Sequence, residues 1–517
     1  MEMDESVSGD RFVPPASPVS AKSDLQKVKE NILNIASEIS KMEVQPELLR
    51  ATSPSTALRF FGRVLQKNFR GDLFHMSFET KKIDCFWSHS WHAKSWMKIM
   101  LLLVYYNGRA ALVGGSVAAL LGMTLSYVQI LPTWPRRFSL ESATYDFGPW
   151  GFIFGCFASF LVLLFWMPKG SRVFLDRLCI HQSDEELKLA GVMSIGGFLK
   201  HSESMLVLFD PSYPTRLWTI FEIAAFLRSH EDVTDRLIVR PTFLGPAAVA
   251  VFLFCSFLML GVLLADFEDM ESNFIMQLAF QSTIFAAAGH WLRSYYRQLE
   301  DCHRQVRNFS LSEVKSFCCS MNHVDAAGNR MICDREIIVE CIRSWFGSDE
   351  EFEVAVRSQV STALAKGVGY NALPYSWFVG VSVPILWGFV DLSASRFQAG
   401  ATFNGMVVII YTLIMWLGVG ACGFFSGQWI SFQLRKRRAN LCSDLMVTLI
   451  GTGFMVVTLL SVHVLQPVCQ RATGLLPGVL LWGLLVAACA LLWLNLWLRA
   501  TQSAASGVPC KRCMCPK

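Results

Sequence analysis

Apolar residues along this chain fall into two regimes. The first is a series of long runs at about Ala111–Leu131, Pro149–Met167, Phe243–Ala265, Asn273–Trp291, Ser376–Leu392, Gly405–Phe425, Leu445–Leu465 and Leu475–Trp497. Each is close to the ~20 residues that cross a bilayer as a helix, so an α-helical polytopic membrane protein with about 8 spans is expected. Pro384 and Asp391 interrupt the fifth run. The second regime is short. Val173–Leu175 ends at Asp176, a turn and a helical stretch follow, Met205–Phe209 ends at Asp210-Pro211, and an amphipathic segment then carries Arg216, Trp218 and Glu222. Short apolar runs alternating with helical patterns predict buried parallel strands in βαβ units. A strand-like KIDCFWSHSW begins at Lys82 and is followed by a helical HAKSWMKIMLLLVYYN. Near the N-terminus Leu25, Val28, Ile32, Ile35, Ile39 and Met42 repeat at alternating spacings of three and four. That pattern predicts an amphipathic helix over 22–42, laid on the soluble part or pairing with a second copy.

Composition agrees with the long runs. Of 517 residues 53% are apolar and only 17% charged, against about 25% charged in an average soluble domain, which excludes a large soluble enzyme. The net charge of +5 is modest, and the placement of the basic residues says more. Of the 46 Lys and Arg, the loops after spans 1, 3, 5 and 7 hold only Arg136, Arg137, Arg396 and Arg471. An excess of basic residues marks the cytosolic side, so both termini and the larger soluble segments are expected there. Asn308-Phe309-Ser310 then faces the cytosol and stays unglycosylated. Sixteen scattered cysteines, several inside apolar runs, read as reduced thiols and not as a disulfide framework. The acidic, polar opening MEMDESVSGD is no charged-then-apolar leader, which leaves targeting to the first span.

The expected organisation follows. Residues 1–79 form a disordered N-terminus carrying the amphipathic helix, and 80–110 plus 168–242 make one α/β domain split by a membrane hairpin at 111–167. A second hairpin occupies 243–291, a mostly helical cytosolic region 292–375, four spans 376–497, and a basic, Cys-containing tail 498–517. The split is allowed because both halves of the α/β domain lie on one membrane face.

An open parallel sheet places its reactive crevice at the carboxyl ends of its strands. Ser88, His89, Asp176 and Asp210 sit at predicted strand ends and should share that edge. Trp218 and Glu222, four apart, should face the same way on a helix. The joined pieces, with DCFWSH, VFLD, the loop containing Gly191, MLVLFDPSY and RLWTIFEIAAF in order, resemble the TIR (Toll/interleukin receptor) domain over about a fifth of the chain. The last piece resembles the family's Trp-Cys-x-x-Glu-Leu helix, with Thr219 in place of the cysteine. The resemblance implies a flavodoxin-like sheet and a signalling or interaction module that self-associates through this domain; the N-terminal helix, from its own apolar spacing, is the second expected contact. Some members cleave the nicotinamide–ribose bond of NAD, while many only bind other such domains. For a cleaving member the resemblance makes Glu222 the catalytic carboxylate, with Ser88, Asp176, Asp210 and Trp218 around the substrate. NAD would be a substrate, and no cofactor or metal is expected. A fixed anion suits the positive charge that builds on the ribose as nicotinamide leaves.

Other groups were weighed against this edge. Arg216 reads as a helix-start charge paired with Asp210 in preference to a phosphate clamp, and His89 and His92 as packing residues beside Trp91 and Trp96. Cys318, Cys319, His323, Cys333 and Cys341 match none of the paired Cys-x-x-Cys spacings of zinc sites. Cys510, Cys513 and Cys515 in the tail lie where palmitoylation occurs. Asp391, His463 and His290 are the ionisable groups in or beside the later spans, and intramembrane charges are functional candidates. The alternative function is therefore a transporter or channel regulated by the cytosolic domain. No nucleotide-binding loop, metalloprotease motif or nucleophile elbow occurs. The basic residues lie along the membrane face, where anionic lipid accounts for them, and nucleic acid is not expected as a partner.

Overall fold

The computed structural model describes residues 18–66, 71–138, 143–166, 170–264, 270–324, 328, 332–368, 375–460, 464–488 and 491. The tail cysteines, His463 and the first 17 residues lie outside the described residues.

The expected strands form a four-stranded parallel sheet. β1 (Ile83–His89), β2 (Val173–Phe174), β3 (Ser202–Phe209) and β4 (Leu237–Pro241) lie in the order β2-β1-β3-β4. β1 pairs with β2 through Cys85↔Val173 and with β3 through Phe86↔Met205 to His89↔Leu208. β3 pairs with β4 from Met205↔Leu237 to Phe209↔Pro241. Residues from before and after the first pair of long apolar runs thus share one sheet. Its strands are apolar on both faces because both are covered: Phe86, Trp87, Phe174 and Leu206 to Phe209 are all buried.

Three further helices frame the sheet. α1 (Pro18–Ser40) is the amphipathic N-terminal helix. α2 (Ser95–Tyr127) follows β1, and α3 (Leu217–Ser229) follows β3. The sequence pattern separates a helix after Trp91 from a span starting at Ala111, whereas α2 runs unbroken for 33 residues. At 1.5 Å per residue it is about 50 Å long, well beyond the ~30 Å hydrocarbon core. Its first turns bury Ile99, Leu101 and Leu102 in the domain core, and its far half exposes Val113, Val117, Leu120 and Leu121. One rod therefore joins the sheet to the apolar region. Where α2 crosses the helix Leu244–Leu264, Gly245 lies directly against the backbone of Met100 and Leu101, so a side chain there has no room.

α2, Leu244–Leu264 and Thr402–Gln433 are long and apolar enough to cross a membrane, and Trp150–Phe165, Leu441–Gly453 and Leu475–Ala488 are shorter apolar helices. The expected fifth span is divided into Tyr375–Val381 and Val383–Gln398, with Pro384 at the start of the second. That is where a residue without a backbone N–H is tolerated. The expected fourth span is part of a 38-residue helix, Met270–Arg307, that continues into polar sequence. Buried Arg293 on that helix pairs with Asp444 at 2.7 Å and also donates to the carbonyls of Leu434 and Asp444. A β-hairpin, Trp134–Phe138 with Ala143–Phe147, occupies the loop after α2. From it Arg136 donates to the carbonyls of Val262 and Leu263 at the end of Leu244–Leu264.

The helix Asp334–Phe346, here α4, lies against α1 and α3. Ile32, Ala36 and Ile39 of α1 are buried. Trp345 of α4 donates to the Ser40 carbonyl at 3.1 Å and stacks near Phe221 of α3 at 5.6 Å. The buried stripe of α1 is thus used within the chain.

Candidate functional site at the carboxyl edge of the sheet

Alternation along β1 sends Trp87 and Ser88 to opposite faces. Trp87 donates to the Tyr106 hydroxyl of α2 at 2.9 Å. Ser88, on the α3 side, donates a short hydrogen bond to the Glu222 carboxylate. The Tyr213 hydroxyl is 2.5 Å from Ser88 Oγ. Thr219 Oγ1 donates to the Tyr213 carbonyl at 2.6 Å and so ties the turn after β3 to the first turn of α3. Tyr213 is fully buried, while Glu222 keeps part of its surface in contact with solvent. The result is a relay, Tyr213–Ser88–Glu222, with one end open.

The surroundings set the charge states. Burial pushes the Glu222 carboxyl up to about 8; the Ser88 hydrogen bond opposes the rise and the nearby Asp176 charge adds to it. Burial also raises the Tyr213 phenol well above its usual range. His89 is held down to about 4, first by burial and then by the positive charge of Lys98, so its ring is neutral. Among the described residues, His89 Nε2 and Asp210 Oδ1 are buried without a hydrogen-bond partner, an uncommon condition in a folded protein. Asp210 Oδ2 accepts from the Ser212 N–H at 3.0 Å and its hydroxyl at 2.7 Å. Burial raises the Asp210 carboxyl against those two bonds.

Ser88, Asp176, Asp210 and Glu222 therefore lie along one edge, but they do different things. Asp176 starts the short helix after β2, accepting from the Arg177 N–H at 2.7 Å and from the Trp91 indole at 2.9 Å. Arg177 in turn stacks over the Trp91 ring at 4.0 Å. Trp218 departs furthest from the expected arrangement. Its ring meets Phe221 edge-on at 5.8 Å and its polar end lies toward Asp334 of α4, whereas the carboxylate of Glu222 turns to β1. The expected Arg216–Asp210 pair is replaced by the Asp210–Ser212 turn, and the Arg216 backbone bridges instead to Lys315. Sequence reasoning missed Tyr213 and Trp91. The Tyr three residues after Asp210 was the available signal for the first.

Two other groups changed standing. Asp391, the strongest candidate for a polar path through the apolar region, accepts from the backbone N–H groups of Gly151 and Phe152 at 3.0 and 2.8 Å. It caps the helix Trp150–Phe165 from a neighbouring helix. Cys318, Cys319, His323 and Cys333 bring one ligand atom each within 4.8 Å of one another. Cys341 stays apart, its thiol bonded to the Ala36 carbonyl of α1. No family model, curated protein or solved structure matches this chain.

Proposed function

We propose that the chain is a multi-pass membrane protein carrying a TIR-like signalling module on its cytosolic face, and that the Glu222 edge of the sheet cleaves the nicotinamide–ribose bond of NAD. The observation that carries this reading is the open-ended Ser88–Glu222 pair at the carboxyl end of the central strand β1. Support for the membrane part comes from the three helices of spanning length and the one-sided placement of Lys and Arg. The chemistry is direct. The glycosidic electron pair leaves with the pyridinium nitrogen, neutral nicotinamide departs, and the Glu222 carboxylate stabilises the cationic ribose. Water then adds to the ribose carbon and loses a proton, giving ADP-ribose. Ser88 fixes the carboxylate, and Tyr213 behind it fixes Ser88.

The test is nicotinamide release from NAD by full-length protein in detergent. Wild type should turn over. Glu222→Gln, which keeps the Ser88 hydrogen bond but not the charge, should lose on the order of 10²–10³-fold, and Ser88→Ala should lose less. Wild type without turnover under conditions where it is folded would remove the enzymatic claim. The transporter alternative loses its main residue, since both Asp391 oxygens are engaged by backbone N–H groups.

A further inference from the structure

The structure assigns a second site, independent of the Glu222 edge: we infer that Cys318, Cys319, His323 and Cys333 form a closed, tetrahedral zinc centre that holds α3 and α4 together. The distances carry the argument. Cys319 Sγ lies 4.0 Å from Cys318 Sγ, 3.8 Å from Cys333 Sγ and 3.6 Å from His323 Nε2. A tetrahedron with Zn–S bonds of about 2.3 Å and a Zn–N bond of about 2.0–2.1 Å has S···S edges of about 3.8 Å and S···N edges of about 3.6 Å. These separations are too long for a disulfide, and all four cysteine and histidine side chains converge on one point with one ligand atom each.

The backbone is shaped to deliver them. The short helix Phe317–Ser320 carries the adjacent cysteines, and the chain then reverses through left-handed Asn322 and His323 at φ 51° and 59°. That conformation is unusual for residues other than glycine. The His323 N–H closes the reversal on the Cys318 carbonyl at 2.9 Å and returns its ring to Cys319. Cys333 arrives from the other side as the residue preceding α4. Cys318 Sγ lies 2.9 Å from the Ser316 hydroxyl. Cys333 stands at the positive end of that 13-residue helix, where negative charge is favoured. Three sulfurs this close repel one another as anions, and a divalent cation removes that repulsion.

With four protein ligands the centre has no open position for substrate, so its role is structural. Its neighbours define what it holds. Two residues before Ser316 stands Val314, and Lys315 between them exchanges backbone hydrogen bonds with the start of α3: Leu217 N to Lys315 O at 3.1 Å and Lys315 N to Thr215 O at 2.8 Å. Asp334, next to Cys333, lies beside the Trp218 side chain. The centre thus clamps the first turn of α3 from two sides, and the spacing CC-x₃-H-x₉-C is what hid it from a reading based on paired Cys-x-x-Cys motifs.

The experiment is metal analysis of full-length protein purified in detergent under reducing conditions with zinc supplied, followed by cobalt exchange. Wild type should hold about one zinc per chain and give the intense visible bands of tetrahedral Co(II) with sulfur-to-cobalt charge transfer. Cys319→Ser and Cys333→Ser should lose the metal, and Cys341→Ser should keep it. His323→Cys guards against misfolding as the cause of loss: it should still bind one metal, with the cobalt bands shifted toward a four-sulfur pattern. Wild type free of zinc, an octahedral cobalt spectrum, a Cys319–Cys333 disulfide persisting in reductant, or equal metal loss in Cys341→Ser would each overturn the assignment.

Discussion

Glu222 and His89 give the fold opposite responses to pH. Glu222 titrates near its ordinary 4.5 when unfolded and about 8 when folded. Its contribution is complete below pH 4.5 and falls as pH rises, until it is gone above about 8. His89 goes from an ordinary 6.5 to about 4, so its contribution is complete above pH 6.5 and falls as pH drops toward 4. Thermal unfolding followed across pH 4–9 should therefore lose ground at both ends. Glu222→Gln should flatten the alkaline limb and stabilise the protein at pH 8.5 by about 1–2 kcal/mol. The full shift corresponds to more, but the carboxyl keeps solvent contact and is partly screened. In the proposed NAD cleavage, which needs the anion, turnover should rise with pH through about 8 while stability declines; a rate that falls over that range would argue against a carboxylate role. Residues at the strand ends were legible because strands in a parallel sheet finish together. Tyr213 was not, because a buried phenol behind a serine leaves no period in the sequence. Trp218 shows the converse limit: spacing four places a residue on a helix face, yet the group its polar end lies toward belongs to another segment.

Helix termini explain why polar groups occur among the apolar ones. Asp391 answers the first N–H groups of Trp150–Phe165, a duty that no pattern within either segment reveals, since the partners stand more than 200 residues apart in the chain. Asp391→Asn replaces one acceptor by a donor facing an N–H. It should cost about 1–2 kcal/mol of stability in detergent, with no change in ion flux through liposomes. A flux that vanished with this substitution while the melting temperature held would restore the transport reading. The ion pair of Arg293 and Asp444 works across elements in the same way. Asp444→Ala leaves a buried guanidinium short of its charge partner and should cost about 3–5 kcal/mol, whereas replacing both by apolar residues should cost less. Apolar length reported helices well and their ends poorly: α2 absorbs two predicted segments, and Pro384 starts a second helix within what was read as one interrupted span.

For the molecule as a whole, the strand order β2-β1-β3-β4 makes sequence neighbours into sheet neighbours across an excursion of two apolar helices. The parallel sheet was readable because both halves carry doubly buried strands. What α4 contributes was not readable, because α1, α3 and the cysteine cluster meet it only in three dimensions. Gly245→Val should test the junction between sheet and apolar region. Its side chain would meet the backbone of Met100 and Leu101, forcing α2 away from Leu244–Leu264, and proteolysis near residue 240 should then accelerate.

Because β1 finds its two partners only after the excursion has been made, synthesis imposes an order on assembly. At about 5–20 residues per second, the nascent first strand waits on the order of ten seconds, its apolar faces bare, until the two intervening apolar helices have been made and β2 emerges. A chain whose two intervening helices fail to fold back on each other cannot complete its sheet, so their pairing also licenses the Ser88–Glu222 pair to form.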